Sequence, residues 1–233
     1  MFKNIVKFRK VVSAAVIPVM LGLSGTAFAE SDIIELSFSK YLAKRMDRIS
    51  AIDKQREEVF RDFRRDGSRQ AQRPRDRLNN SRFFQTEWAN ERLIPNLDDY
   101  SVPALIEEMM KRGIEEASPD GFNGRIVLDI TELRIANFPL AAINSFNSRM
   151  KGVVKHYDEN NNLIAEHKVW TALVPKFTAG RNYQGRDYAY LTTSGTTRVG
   201  PVAAEFTAKA LEKIFPDYDA PDLVFLTPAD LGI

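Results

Sequence analysis

The side chains with the widest chemical reach in this chain are few. It has two histidines, His156 and His167, and no cysteine. Without thiols there is no disulfide framework, no thiolate zinc site and no cysteine nucleophile. A serine nucleophile would call for an elbow of the G-x-S-x-G kind to partner a histidine, and none occurs. Carboxylate chemistry is open to Asp129, Glu132 and Asp187, which would suit an envelope-acting hydrolase if two of them shared a cleft with separated pKa values. Their spacing implies no such pairing. The acids of the C-terminal tail, Asp217, Asp219, Asp222 and Asp230, do not follow a calcium-loop pattern. Walker-type loops, dinucleotide fingerprints, zinc spacings and internal repeats are likewise missing from the sequence. The sequence therefore predicts no catalytic set, no metal and no cofactor.

Two clusters have the chemistry of contact instead. The stretch after Val174 holds Arg181, Tyr183, Arg186, Tyr188 and Tyr190. Tyrosine and arginine join large area to directed polar groups, which is why they dominate binding hot spots. A third strand over 186–193, its tyrosines packed on a sheet, is the competing and compatible reading. The second cluster is Arg61, Arg64, Arg65, Arg69, Arg73, Arg75 and Arg77. It suits contact with anionic head groups, an acidic polysaccharide or an acidic protein. It equally suits a solvated helix end and linker whose field Asp62, Asp66 and Asp76 partly neutralise.

The elements that must position these groups follow from periodicity. Leu42, Met46, Ile49, Ile52, Val59 and Phe63 recur at helical steps over 41–65, and Asp66-Gly67-Ser68 stops that pattern. A second helix spans 102–117, with Ser101 as cap, Pro103 in its first turn and Leu105, Ile106, Met109, Met110 and Ile114 on one face. Residues 125–135 read as a strand in which the apolar phase slips between Ile130 and Leu133, the mark of a β-bulge. A hairpin joins 150–157 to 163–174 around Asn160-Asn161. Its even–odd register sets His156 opposite Ala165 and His167 opposite Val154, on the half-buried face. Two core-edge histidines are thereby expected rather than ligands or acid–base catalysts. A closing helix over about 201–215 begins at Pro201 and ends before Pro216. Leu223–Leu226 of the tail can dock on a sheet edge.

Residues 1–29 read as an export signal: Lys3, Lys7, Arg9 and Lys10, then an apolar run from Val11 to Leu23, then Ala27-Phe28-Ala29 before Glu30. Cleavage after Ala29 would leave 204 residues with a net charge of −2, since the leader holds four cations and no acid. The basic overall balance thus belongs to the leader. A strongly basic nucleic-acid binder is the wrong picture, and a periplasmic chain without disulfides is the right one. Charge also divides the remainder. From Lys40 to Arg82 there are 14 basic and 7 acidic residues; from Phe83 onward 15 basic and 21 acidic. The expected organisation is a signal at 1–29, a basic and mainly helical region with an Arg-rich linker at 30–99, an α+β domain at 100–216 and an acidic tail at 217–233. The sheet is expected to be mainly antiparallel, packed on two amphipathic helices.

The segments Gly124–Ile130, Met150–Asp158, Asn162–Ala165 and Val202–Phe215, in that order, resemble the small α+β domain of bacterial envelope accessory proteins. These include transport-auxiliary lipoproteins and related periplasmic families. The resemblance covers about residues 100–216. Its usual members are lipoproteins, whereas here no acylatable cysteine follows the cleavage site. What it implies is a non-catalytic helper that binds another envelope protein or an anionic envelope component. A subunit of a homo-oligomeric envelope assembly, joined through the 41–65 helix, is a further reading.

Overall fold

A computed structural model of the chain describes residues 33–70, 89–136, 148–173, 188–191 and 198–226; at 63–70, 191 and 226 it describes the backbone only. The fold is α+β. Four strands, β1 (Ile34–Phe38), β2 (Arg125–Arg134), β3 (Arg149–Tyr157) and β4 (Leu163–Ala172), lie in the order β1-β2-β3-β4. β2, β3 and β4 run antiparallel, while β1 lies parallel to β2, with Ile34 beside Ile126 and Phe38 beside Ile130. The sheet is therefore mixed. β1 lay outside the expected elements, although Ile34, Leu36 and Phe38 alternate with Glu35 and Ser37 as a half-buried strand requires.

The bulge falls where the apolar phase slips. Pairing shifts between Ile130 and Glu132, so Ile126, Leu128 and Ile130 before it and Leu133 after it all face the helices. The hairpin register also stands as expected, with Val154 opposite His167 and His156 opposite Ala165. Its turn is built on Asp158, whose Oδ1 accepts the N–H of Asn160 at 2.9 Å and of Asn162 at 2.7 Å. Asn161 takes the left-handed conformation that closes the loop (φ 63°).

The helices are α1 (Lys40–Ala43), α2 (Met46–Gln70), α3 (Ala89–Leu93), α4 (Val102–Ala117) and α5 (Val199–Ile214), with a 3-10 turn at Leu97–Asp99. α4 begins as its sequence dictates, the Ser101 hydroxyl accepting the N–H of Ala104 at 3.2 Å. α5 packs on β3, β4 and α4, and the fully buried Leu105, Ile106, Met109, Met110, Met150 and Phe206 join helices to sheet. α2 differs from expectation in two ways. It runs through Asp66-Gly67-Ser68 to Gln70, and Ile52 and Val59 stand outside, 42% and 63% exposed.

The described residues belong to one compact unit, Asp32–Ile233. Leu42, Met46, Leu93 and Tyr100 enter the same core as α4, α5 and the sheet, so the charge step near residue 82 does not coincide with a packing boundary. The tail also contributes: β5 (Tyr188–Leu191) and β6 (Leu223–Leu226) pair in parallel as a separate two-stranded sheet, with Phe225 buried.

Candidate functional site

The inner face of α2 is polar where an ordinary amphipathic helix is apolar. Asp53, Glu57 and Arg61 follow one another at four-residue steps and are 2%, 0% and 4% exposed. Each finds partners on other elements. The Asp53 carboxylate accepts the Tyr100 hydroxyl at 2.6 Å through Oδ2 and the Val199 N–H at 3.0 Å through Oδ1. Glu57 accepts Arg61 Nε at 2.7 Å through Oε1; its Oε2 accepts Asn90 Nδ2 at 3.2 Å and pairs with Arg198. Arg61 also donates to the carbonyls of Pro95 and Ile94, at 2.6 and 2.8 Å. Asn90 completes the ring, donating to Tyr100 at 3.0 Å and accepting the Tyr190 hydroxyl at 2.8 Å.

The electrostatics match this geometry. Burial pushes the Tyr190 phenol well above its usual pKa, and burial together with the Asp53 carboxylate does the same for Tyr100. Burial lowers the Arg198 guanidinium to about 10, its charge supported by Asp53. The guanidinium lies 5.3 Å from the centre of the Phe60 ring and 5.9 Å from that of Tyr190. Every oxygen of the two carboxylates already accepts a bond. Such a cluster can align α2, the 89–100 segment, β5 and α5 against one another, because buried ion pairs tolerate few alternative arrangements. It offers no acid–base pair to a substrate.

The candidate acids of the sheet are occupied in the same sense. Asp129 pairs with Lys155 at 2.5 Å and accepts the Ser37 hydroxyl; the lysine and then the hydroxyl hold its carboxyl below the usual range. Glu132 pairs with Arg149 at 2.5 Å. Asp187 lies outside the described residues. A hollow of about 520 Å³ beside α3 and α4, lined in part by Leu93, Pro95, Asp99, Glu107 and Glu108, presents no converging set, since Glu108 turns to Arg112 at 3.0 Å.

His156 is half-buried against Phe122, ring centres 5.3 Å apart, and burial lowers its pKa. His167 is half-buried beside Val154 on the same face. Among the described residues no three His, Asp or Glu side chains gather as a metal cluster.

The predicted contact residues divide. Tyr188 and Tyr190 are interior, 5% and 2% exposed, so the strand reading of this stretch holds over 188–191 and these two rings are not a binding surface. Burial raises Tyr188 to about 12. Arg61 is likewise corrected from a surface cation to a buried brace, because α2 turns it toward Glu57 and two carbonyls. Arg181, Tyr183, Arg186, Arg73, Arg75 and Arg77 lie outside the described residues, as does the 1–29 segment; Arg64, Arg65 and Arg69 lie on α2 without described side chains. The buried cluster was missed by sequence reasoning. Its signal was available: continuing the face of Leu42, Met46 and Ile49 by helical steps meets Asp53, Glu57 and Phe60, not Ile52 and Val59.

What α1, α2 and the turn between them present outward is a mixed surface. Tyr41, Ile52 and Val59 are exposed beside the exposed Arg45, Arg48 and Arg56. On the opposite side of the fold, the outer face of the sheet exposes Lys151, Glu166, Lys168 and Trp170, the last at 59%. No described helix is long and apolar enough to cross a membrane. Comparison of the chain with protein-family models, with curated proteins and with solved structures finds no match.

Proposed function

We propose that the protein is a non-catalytic binding or adaptor component of the bacterial cell envelope, exported to the periplasm, and that an acidic envelope partner docks on the outer side of α1 and α2. The observation that carries this reading is the stripe formed by Ile52 and Val59, seven residues apart on α2 and exposed, with Arg48 and Arg56 exposed along the same helix. Apolar side chains between guanidinium groups provide area and long-range attraction together, which is the chemistry of recognition. Among the described residues the buried acids Asp53 and Glu57 are bonded to structure, so their carboxylates serve the fold. The leader-like 1–29 segment, the excess of basic residues from Lys40 to Arg82 and the likeness of 100–216 to envelope accessory domains support the same reading.

A photoreactive amino acid at Val59, expressed in cells, tests it. The expected outcome is a reproducible adduct in the envelope fraction that Arg48→Glu and Arg56→Glu together reduce severalfold. Adducts indistinguishable from those formed at the exposed Glu115 of α4 would remove the docking site. Recovery of the chain in the cytosol with Met1 still attached would remove the address.

A further inference from the structure

We propose that two copies of the chain pair edge to edge through β4, antiparallel about a two-fold axis at His167, and so join their four-stranded sheets into one of eight strands. This goes beyond the adaptor reading and uses a different surface. β4 is the last strand in the sheet order, ten residues long, and no strand lies beyond it among the described residues.

The outer edge of β4 has a definite register. The N–H of Leu173 bonds the carbonyl of Ser148 at 2.7 Å, so in this antiparallel ladder the odd-numbered residues from Ala165 to Leu173 bond toward β3; the register shifts at Ile164, which faces no β3 residue. The even-numbered residues Glu166, Lys168 and Trp170 therefore aim their N–H and C=O groups away from the sheet. The same three residues hold their side chains on its outer, exposed face.

Charges on an edge strand ordinarily block pairing with another edge. Here their order makes them complementary to themselves. An antiparallel copy centred on His167 sets Glu166 against Lys168 of the second copy, and Lys168 against its Glu166. Trp170 then meets Ile164 of the second copy, and Ile164 its Trp170. Both are exposed, Ile164 at 58% and Trp170 at 59%. Opposite charges and aromatic–β-branched pairs are the favourable cross-strand combinations. The Glu166 and Lys168 rungs also fall on the hydrogen-bonding positions, so backbone and side chains call for the same register. Within its own chain Glu166 faces Lys155, whose ammonium is held by Asp129 at 2.5 Å; Lys168 faces Val153. Neither Glu166 nor Lys168 has an ion-pair partner within the described residues. A heterologous strand would match this edge only by reproducing the order apolar, acidic, basic, aromatic, which β4 itself possesses.

The test is a charge exchange read by sedimentation velocity on the purified chain. Wild type should show a concentration-dependent dimer. Lys168→Glu alone and Glu166→Lys alone should each weaken it at least tenfold, since each sets like charges opposite. The double variant should regain it, as should an equimolar mixture of the two single variants, because the mixed pair restores both rungs. The exposed sites leave the fold intact, which far-ultraviolet circular dichroism checks. The chain has no cysteine, so His167→Cys supplies a second readout. Position 167 would face itself as a non-hydrogen-bonded pair, at a distance a disulfide spans. Oxidation should link it at least tenfold faster than Glu115→Cys. A wild type that stays monomeric, or a dimer indifferent to both single charge reversals, overturns the proposal. A dimer lost instead on altering Ile52 and Val59 overturns it too and assigns self-association to α2. None of these outcomes depends on capture of an envelope partner at Val59.

Discussion

Asp53 caps a helix to which it does not belong: its carboxylate accepts the backbone N–H of Val199, the first residue of α5, from a position 146 residues earlier. Arg198, at the N-cap position itself, supplies no side-chain bond. The cap of α5 is thus a tertiary contact, and its other oxygen fixes Tyr100. Asp53→Ala should destabilise the fold by about 2–4 kcal/mol, combining a lost cap with a buried hydroxyl left unpaired. Asp53→Asn, which keeps an acceptor for Val199, should cost less. Urea unfolding followed by circular dichroism gives both values, and equal losses would show that the cap contributes nothing.

Glu57 stands between two buried guanidinium groups, Arg61 and Arg198. Removing it takes from both their buried carboxylate partner, although Arg61 keeps the carbonyls of Pro95 and Ile94, so Glu57→Ala should cost about 3–5 kcal/mol. Arg198→Met leaves Glu57 its pairing with Arg61 and should cost clearly less. The order of the two losses is the informative result. A larger loss for Arg198→Met would mean that the arginine acts mainly through packing on Phe60 and Tyr190.

Gly200 lies against the same cluster. A Cβ added there would reach the Tyr190 hydroxyl at 2.5 Å and overlap Asn90 Oδ1. Gly200→Ala should therefore destabilise by about 1–3 kcal/mol through forced displacement of the network, despite the better helix propensity of alanine. A crystal structure of the variant should show Tyr190 or Asn90 shifted; an unshifted pair would refute the tight fit.

The sheet face has a pH signature. Lys155 and Ser37 lower the Asp129 pKa, so folding favours its ionised form. That contribution is present above the unfolded-state value of about 3.9 and is lost as pH falls through the folded value. The stability difference between wild type and Asp129→Asn should then be constant near neutrality and shrink below about pH 4. The Asp129–Lys155 pair is partly exposed, so added salt should reduce the difference. Thermal unfolding from pH 2 to 7 at two ionic strengths measures both effects.

Much of the sheet was legible because alternation and its interruption are local. The slip from Ile130 to Leu133 marks a bulge, and the even–odd match across the hairpin sets His156 beside Ala165 without any knowledge of the rest. The Ser101 cap and the Pro103 start of α4 are equally local. What escaped is what depends on distant partners. β1 is five residues that alternate correctly, but its only described strand neighbour is β2. α2 was assigned the wrong inward face because apolar periodicity treats Asp53, Glu57 and Arg61 as solvent-facing. Their burial is sustained by Tyr100, Asn90 and Arg198, which lie far along the chain. The types and spacing of Tyr188 and Tyr190 suit a surface or a strand, and it is α3, α5 and β6, packed beside them, that decide for the interior.

The parallel placement of β1 against β2 bears on how the chain is made. During synthesis β1 emerges first, and the strand that must hold it follows some 92 residues later, as the contact between Ser37 and Asp129 measures. Until then the nascent segment has no template to zip onto. Pairing of the leading strand is in consequence delayed until β2 has been made, which leaves an interval in which another protein can hold the segment open.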